Sequence, residues 1–397
     1  MSRAAVAFVV QRYGTDVTGG SETLARAVAE RLSPFHDVTV FTTCARDYVT
    51  WRNELAPGEH RESGVRVRRF PVEEERSLAA FNAFAEPLYG RVRTHEEEIE
   101  FLRRQGPFVP ALVEALRAEK DRWAAVVFFT YLYYPTYWGL RAAPERSVLV
   151  PTTHDEPPLA FAIYREVFDR PRAFAFLTEA EQELVRARFG TGGRPAVIAG
   201  MGVELPPSGD VAAFRVRHRL SGPYALYAGR IDAGKGCAAM LAHHERYRHE
   251  KRGAAELVLI GRLAMPEPRQ EGVRYLGVLS EEEKSTAMAG ACAVICPSPY
   301  ESLSIVLLEG LSLGTPGLVN ASSAVLKEHC LRSNAGLFYE DGDEYAEALD
   351  LLVRQDGLRA ALGAHGRRYV DAGYRWSVVL DRWRGLLRSV SGEHAAE

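Results

Sequence analysis

The stretch ESLSIVLLEG, Glu301–Gly310, sets two carboxylates eight residues apart across the start of a predicted helix. An apolar strand run, CAVICPS at Cys292–Ser298, leads into the loop Pro299, Tyr300, Glu301 and Ser302, and helix-period residues then run from near Ser304 to Leu313. Backbone N–H groups at Ser304, Ile305 and Val306 lack intrahelical acceptors there, and together with the helix dipole they favour an anion. Glu301 falls beside those amides. Glu309, a little over one turn into the helix, is placed to accept hydrogen bonds from a pair of ribose hydroxyls. The spacing suits a nucleotide diphosphate, although a glutamate near a helix start also serves simply to complement the dipole.

Two carboxylates beside a pyrophosphate repel it, so this reading requires cations from elsewhere in the chain. They stand in GRIDAGKG, Gly229–Gly236, where the buried strand run PYALYAGR ends at Arg230 and Lys235 opens the next helix. A planar guanidinium and a flexible ammonium at this spacing can grip one phosphate from two sides. Alone, an Arg and a Lys five positions apart also describe a solvated loop. Taken together, in strand–loop–helix context, the two motifs predict a diphosphate site.

Short apolar runs alternate with helix-period segments along all 397 residues, which predicts parallel sheets built from strand–helix–strand units. The first-half strands are predicted at Ala4–Val10, Val38–Thr43, Val65–Phe70, Ala124–Thr130, Ser147–Pro151, Ala173–Leu177 and Ala196–Ile198. Those of the second half are Tyr224–Ala228, Glu256–Ile260, Val273–Leu276, Ala293–Cys296, Gly317–Val319 and Gly336–Tyr339. This length exceeds what one core serves, and the turn-rich Pro206, Pro207, Ser208 and Gly209 read as a linker. Domains are accordingly expected over 1–205 and 210–370. Residues Glu73–Trp123 form a charged, aromatic-bearing helical insertion, the natural place for acceptor specificity.

A net charge of −3 removes any global case for nucleic-acid binding. Arg66, Val67, Arg68 and Arg69 alternate as the solvent face of a strand rather than as a phosphate track. Five cysteines, Cys44, Cys237, Cys292, Cys296 and Cys330, fit neither a disulfide framework nor a zinc pattern, and they point to core packing in a reducing cytoplasm. The opening AAVAFVV reads as a first strand, not a signal sequence, because Gln11 and Arg12 follow at once and a glycine-rich turn opens a helix. No apolar run approaches the ~20 residues that span a bilayer, so membrane contact is expected only as peripheral.

Gly19 and Gly20 lie between the first strand and the helix SETLARAVAERL, allowing close approach of backbone to a ligand at the sheet edge, or a purely structural turn. Glu22 fits either that loop or the helix dipole. His154 ends RSVLVPTTH, where a site residue and a satisfied structural histidine both fit; Asp155 either orients it or caps the turn. Asp341, Gly342 and Asp343 read as a turn and N-cap before EYAEALDLL, not as a metal motif, so no metal site is expected.

In the GGSE loop at Gly19–Glu22, in THDE at Thr153–Glu156, in GRIDAGKG, in the E-x7-E run with LSLGTP after it and in NAGLFYEDGDEYAEAL, the chain resembles the retaining glycosyltransferases of family 4. It departs from their pattern at Ser304, where glycine is common, at Asn320–Ser323 and at Arg262. The resemblance implies the α/β GT-B fold, two Rossmann-like domains facing a central cleft, with a helix at 375–390 packing back on the N-terminal domain. It implies a metal-independent hexosyl-type enzyme of the cytoplasm or the inner membrane face, with no cofactor beyond its nucleotide-diphosphate sugar, a UDP- or GDP-sugar. The acceptor is a hydroxyl of a sugar, a lipid-linked sugar or a small molecule, as in the synthesis of cell-surface polysaccharides, glycolipids or natural-product glycosides. By the same resemblance Arg230 and Lys235 stabilise the departing diphosphate, His154 and Glu301 position the sugar, and the leaving phosphate takes the acceptor proton. Gly19, Gly20, Ser304, Ile305 and Glu309 line the nucleotide-sugar site. Three other readings stand beside it: a GT-B phosphorylase, for which no pyridoxal-anchoring lysine motif is visible; a non-catalytic nucleotide-sugar binder; and a peripheral membrane module using Phe81, Phe84, Tyr89, Arg91 and Arg93.

Overall fold

Runs such as AVVFF, YALYA and AVIC are apolar on both faces and bury every residue, which is what a parallel strand covered by helices on both sides demands. In a computed structural model, which describes residues 3–17, 19–252 and 255–392, these runs assemble into two sheets. The first part of the chain runs β1 (Ala5–Val9), α1 (Gly20–Leu32), β2 (Asp37–Thr43), β3 (Gly58–Glu62), β4 (Val65–Phe70), α2 (Leu78–Ala85), α3 (His95–Gln105) and α4 (Pro110–Ala118). It continues with β5 (Ala125–Phe129), α5 (Tyr134–Ala142), β6 (Ser147–Val150), α6 (Ala162–Asp169), β7 (Ala173–Phe176), α7 (Glu179–Arg188) and β8 (Ala196–Ile198). Then come α8 (Val211–Arg217), β9 (Tyr224–Ala228), α9 (Cys237–Glu250), β10 (Glu256–Ile260), β11 (Val273–Tyr275), α10 (Glu281–Ala289), β12 (Ala293–Cys296) and α11 (Ile305–Leu313). The chain closes with β13 (Gly317–Asn320), α12 (Ala324–Ser333), β14 (Gly336–Tyr339), α13 (Gly342–Arg354), α14 (Asp356–Gly373) and α15 (Trp376–Ser391).

The eight-stranded sheet has the order β3-β4-β2-β1-β5-β6-β7-β8, and the six-stranded sheet the order β11-β10-β9-β12-β13-β14. Every pairing is parallel except β3 with β4. In both sheets the order reverses beside the first strand, between β1 and β5 and between β9 and β12. Open parallel sheets bind ligands at such a reversal, outside the carboxyl ends of the strands.

The chain divides into one unit of Met1–Gly200 with Leu380–Glu397 and a second of Met201–Val379. The division therefore falls a few residues before the turn-rich Pro206–Gly209 and inside α15. Trp383 lies in the first unit, with its ring 6.3 Å from Phe8 and 6.4 Å from Phe129.

Two features differ from the sequence reading. Strand β3, GEHRE, was not predicted because it carries no apolar residue; a two-residue turn, Ser63 and Gly64 at φ 47° and 82°, pairs it antiparallel with β4. Arg69 is not on a solvent face: it is 7% exposed on the same side as Val65 and Val67, ion-paired to Glu62 and donating to the Tyr13 carbonyl. The insertion over 73–123 is part of the first unit's core, since Phe81, Leu88, Phe101, Leu102, Leu112 and Leu116 pack with strand residues Phe41, Val126 and Phe128. Of the residues read as a membrane surface, Phe81 is buried, Phe84 is partly buried, Tyr89 packs on Phe101 and Phe161, the exposed Arg91 pairs with Glu97, and Arg93 pairs with Glu98. Among the described residues no helix is long and apolar enough to cross a membrane.

Candidate active site

In the second unit, the loops following β9 and β12 carry the two motifs and flank the reversal in strand order. Close approach of their backbones depends on Gly236, the left-handed N-cap of α9 at φ 74°: a Cβ there would stand 2.3 Å from the Pro297 carbonyl oxygen. Asp232 organises the first loop by accepting the Lys235 amide at 2.8 Å and pairing with the Arg230 guanidinium. Lys235 then reaches the second loop, with Nζ 2.8 Å from Glu301 Oε1. The two cations and the first carboxylate predicted from sequence thus form one cluster.

Ser304 is the N-cap of α11 in the left-handed region, φ 60° and ψ 74°, and its hydroxyl does not cap the helix. It turns instead to Cys296 Sγ at 3.9 Å, leaving the first-turn amides, from Ile305 on, without a side-chain cap. The preceding carbonyl, Leu303 O, is held from below by His329 Nε2 at 2.8 Å, while His329 Nδ1 lies 3.0 Å from the Tyr369 hydroxyl. Burial lowers His329 to about 4, so the imidazole is neutral; because a carbonyl only accepts, Nε2 carries the proton and Nδ1 accepts from Tyr369. Glu309 is buried, with Oε1 2.9 Å from Lys284 Nζ. Burial raises its pKa above the ordinary glutamate value, and Lys284 opposes that rise.

Asp341 caps α13 by accepting the Asp343 and Glu344 amides at 2.9 and 3.0 Å, and Asp343 pairs with Arg246. Both carboxylates are thereby engaged in structure, and among the described residues no group of three or more His, Cys, Asp or Glu is placed to hold a metal ion.

In the first unit, Gly19 is the N-cap of α1 at φ 154° and Gly20 its first residue, both exposed. Glu22 serves more than the helix dipole. Its Oε1 takes Arg12 Nη2 at 2.6 Å, Arg12 Nε at 2.9 Å and Gln11 Nε2 at 3.0 Å, and Oε2 takes the Ser21 hydroxyl at 2.9 Å. His154 lies after β6 with Nε2 3.3 Å from Glu156 Oε2, and Glu156 Oε1 accepts the buried Tyr131 hydroxyl at 2.7 Å. Behind this loop, Glu181 of α7 is fully buried and accepts the Thr153 amide at 2.7 Å and the Leu177 amide at 2.6 Å. Burial raises Glu181 to about 7 against those hydrogen bonds. His154 and Arg188-paired Asp155 leave this loop on opposite partners.

Asp232, Lys284, His329, Glu156 and Glu181 were not singled out as site residues from sequence. Only Glu181 carried a local signal, Thr178-x-x-Glu181, the spacing of a capping box; its carboxylate reaches across to two strand ends instead of back to its own helix.

Residues 211–369 match the family described as Glycosyl transferases group 1. A D-inositol 3-phosphate glycosyltransferase of Frankia alni is 31% identical over 216 residues, 49% of this chain and 51% of that protein. The chain spans about half the length of the first curated relatives it matches. Among solved structures, a sucrose-phosphate synthase from Thermosynechococcus elongatus superimposes with a TM-score of 0.73 at 18% identity, covering 99% of this chain and 100% of that one. Anabaena Alr3699/HepE, solved in complex with UDP and glucose, gives a TM-score of 0.70 at 13% identity, covering 97% and 100%. At these identities the likeness establishes the fold, which is GT-B.

Proposed function

We propose, from the membership of residues 211–369 in the glycosyl transferases group 1, that this protein transfers a sugar from a nucleotide-diphosphate sugar to a hydroxyl acceptor with retention at the anomeric carbon. The observation that carries the donor half of this reading is the 2.8 Å contact of Lys235 Nζ with Glu301 Oε1, which brings the two loops beside the strand-order reversal into one charged cluster. Arg230, Lys235 and the uncapped amides of α11 would neutralise the diphosphate as it leaves, the step at which charge develops most. A bound diphosphate would take over Lys235 from Glu301, because it offers more negative charge to the same ammonium. Glu301, so released, would turn toward the sugar, and Glu309 would accept the ribose hydroxyls. We assign His154 to the transferred sugar, with Glu156 orienting its ring. Gly19 and Gly20 would let backbone approach the donor phosphates.

Arg230 and Lys235 are suited to the work a divalent ion does elsewhere, so we infer metal-independent transfer with no resident cofactor. The leaving phosphate would take the acceptor proton. Thermal-shift screening against UDP, GDP, ADP and TDP identifies the base; a ligand at a hundred times its dissociation constant adds about 2.7 kcal/mol. Assay of the matching nucleotide sugars with excess EDTA then tests transfer and metal use, and proton NMR of the product reads the anomer. Binding without turnover on any donor would make the protein a nucleotide-sugar binder, and activity lost to EDTA and restored by magnesium would refute metal independence.

A further inference from the structure

The two oxygens of Glu309 have different surroundings. Oε1 is 2.9 Å from Lys284 Nζ, whereas Oε2 is buried and has no hydrogen-bond partner among the described residues. Lys284 stands on α10 and also lies 2.7 Å from the exposed Glu281 Oε2, one turn earlier on the same helix. The ammonium is mostly buried and fixed between two carboxylates, so it approaches Glu309 from one side only. An unpaired oxygen on a buried carboxylate is costly and calls for a donor from outside the chain. A pair of ribose hydroxyls is such a donor, and it sits where Glu309 was assigned above.

We propose that Lys284 is a positioning residue for nucleotide recognition: it holds Oε1 of Glu309 so that Oε2 is presented to the ribose. The assignment rests on the donor reading of Glu309. Burial alone raises the pKa of Glu309, and Lys284 is the group that counters this; Glu281 adds to the rise. For Lys284 itself burial pulls downward, but Glu309 and Glu281 outweigh it and leave the ammonium above the ordinary lysine value. Other elements packed on α11 bring little charge to this carboxylate. Arg367 of α14 donates to the Leu313 carbonyl at 2.7 Å, β12 contributes the buried Cys296 thiol, and β13 has no ionisable side chain.

The test is the pH dependence of nucleotide affinity, measured by calorimetry between pH 6 and pH 9 with whichever of UDP, GDP, ADP or TDP the wild type binds. Lys284→Met should bind about tenfold or more weakly at pH 6.5 and recover toward wild type by pH 9, as Glu309 ionises unaided. Lys284→Arg should stay near wild type, and Glu309→Gln should be weak at every pH. Turnover of Lys284→Met at saturating donor should change less than threefold, which a general loss of structure would not allow; Lys284→Gln serves where the methionine variant is unstable. Affinity equal to wild type in Lys284→Met, or a loss that persists unchanged to pH 9 while Glu309→Gln binds normally, would overturn the assignment. A wild type that binds none of the four nucleotides would instead overturn the donor reading, and this assignment with it.

Discussion

Both units set a cation against a glutamate at the carboxyl edge of a parallel sheet, yet the two pairs are built for opposite purposes. Arg12 and Glu22 in the first unit are 5% and 6% exposed, and Glu22 is further held by Gln11 and Ser21. Lys235 and Glu301 in the second unit are 37% and 18% exposed and share one contact at 2.8 Å. A buried, many-partnered pair leaves a stranded charge when broken, so it acts as a latch on the Gly19–Gly20 turn. A half-exposed single contact is weak and exchangeable, which is what a phosphate-binding lysine requires. Glu181 repeats the first pattern, a buried carboxylate tying strand ends together beneath the His154 loop.

The strongest way to break this comparison is to remove the glutamates. Glu22→Ala should lower the unfolding free energy by about 3–5 kcal/mol, because the buried Arg12 loses its carboxylate and keeps only weaker partners such as the Arg46 carbonyl, whereas Glu301→Ala should cost no more than about 1 kcal/mol. Equal losses in urea titrations would show that the two pairs are energetically alike. Next in size is the pH signature of Glu181. Its native pKa, about 7, lies above the unfolded value of 4.5, so below pH 4.5 both states carry the proton and the group is neutral in its effect. Between pH 4.5 and 7 the native state alone retains it, and stability falls as pH rises, by about 3 kcal/mol once pH passes 7. Wild type should therefore lose urea stability relative to Glu181→Gln from pH 5 to pH 8, and a constant difference would assign Glu181 an ordinary pKa.

The exchangeable pair makes a catalytic prediction of similar size. Lys235→Ala should reduce turnover about a hundredfold or more, about 2.7 kcal/mol in the barrier, with its melting temperature nearly kept. Wild-type turnover in the folded variant would remove Lys235 from the leaving-group site. The smallest effect concerns Ser304, held at φ 60° at the start of α11. Ser304→Gly should stabilise the protein by up to about 1 kcal/mol through relief of the left-handed backbone, read from the urea midpoint. A loss would show that its contact with Cys296 outweighs that strain.

Much of the fold was legible because buried parallel strands are written as unbroken apolar runs, which pure alternation or mixed polarity would have hidden. Strand β9, YALYA, and strand β12, AVIC, lie within those runs and keep the bounds expected of them, Tyr224–Ala228 and Ala293–Cys296. Strand β3 shows the converse: GEHRE forms because a tight turn places it beside β4, and nothing in its own residues announces it. Arg69 shows it again, since alternation with valine suggested a solvent face and the side chain is buried against Tyr13 and Glu62.

What the chain determined by itself was the order of its strands and helices and the presence of Arg230, Lys235, Glu301 and Glu309 at strand and helix ends, because apolar period and helix-start chemistry are local properties. Which charges meet was decided only by the tertiary structure. Lys235 finds Glu301 across 66 positions, Lys284 finds Glu309 across 25, and His329 reaches back 26 to the Leu303 carbonyl. A charged residue carries no record of its partner in the linear sequence. The partner is selected by the order in which strands stack and by the low-dielectric surroundings that make an unpaired charge too costly to keep.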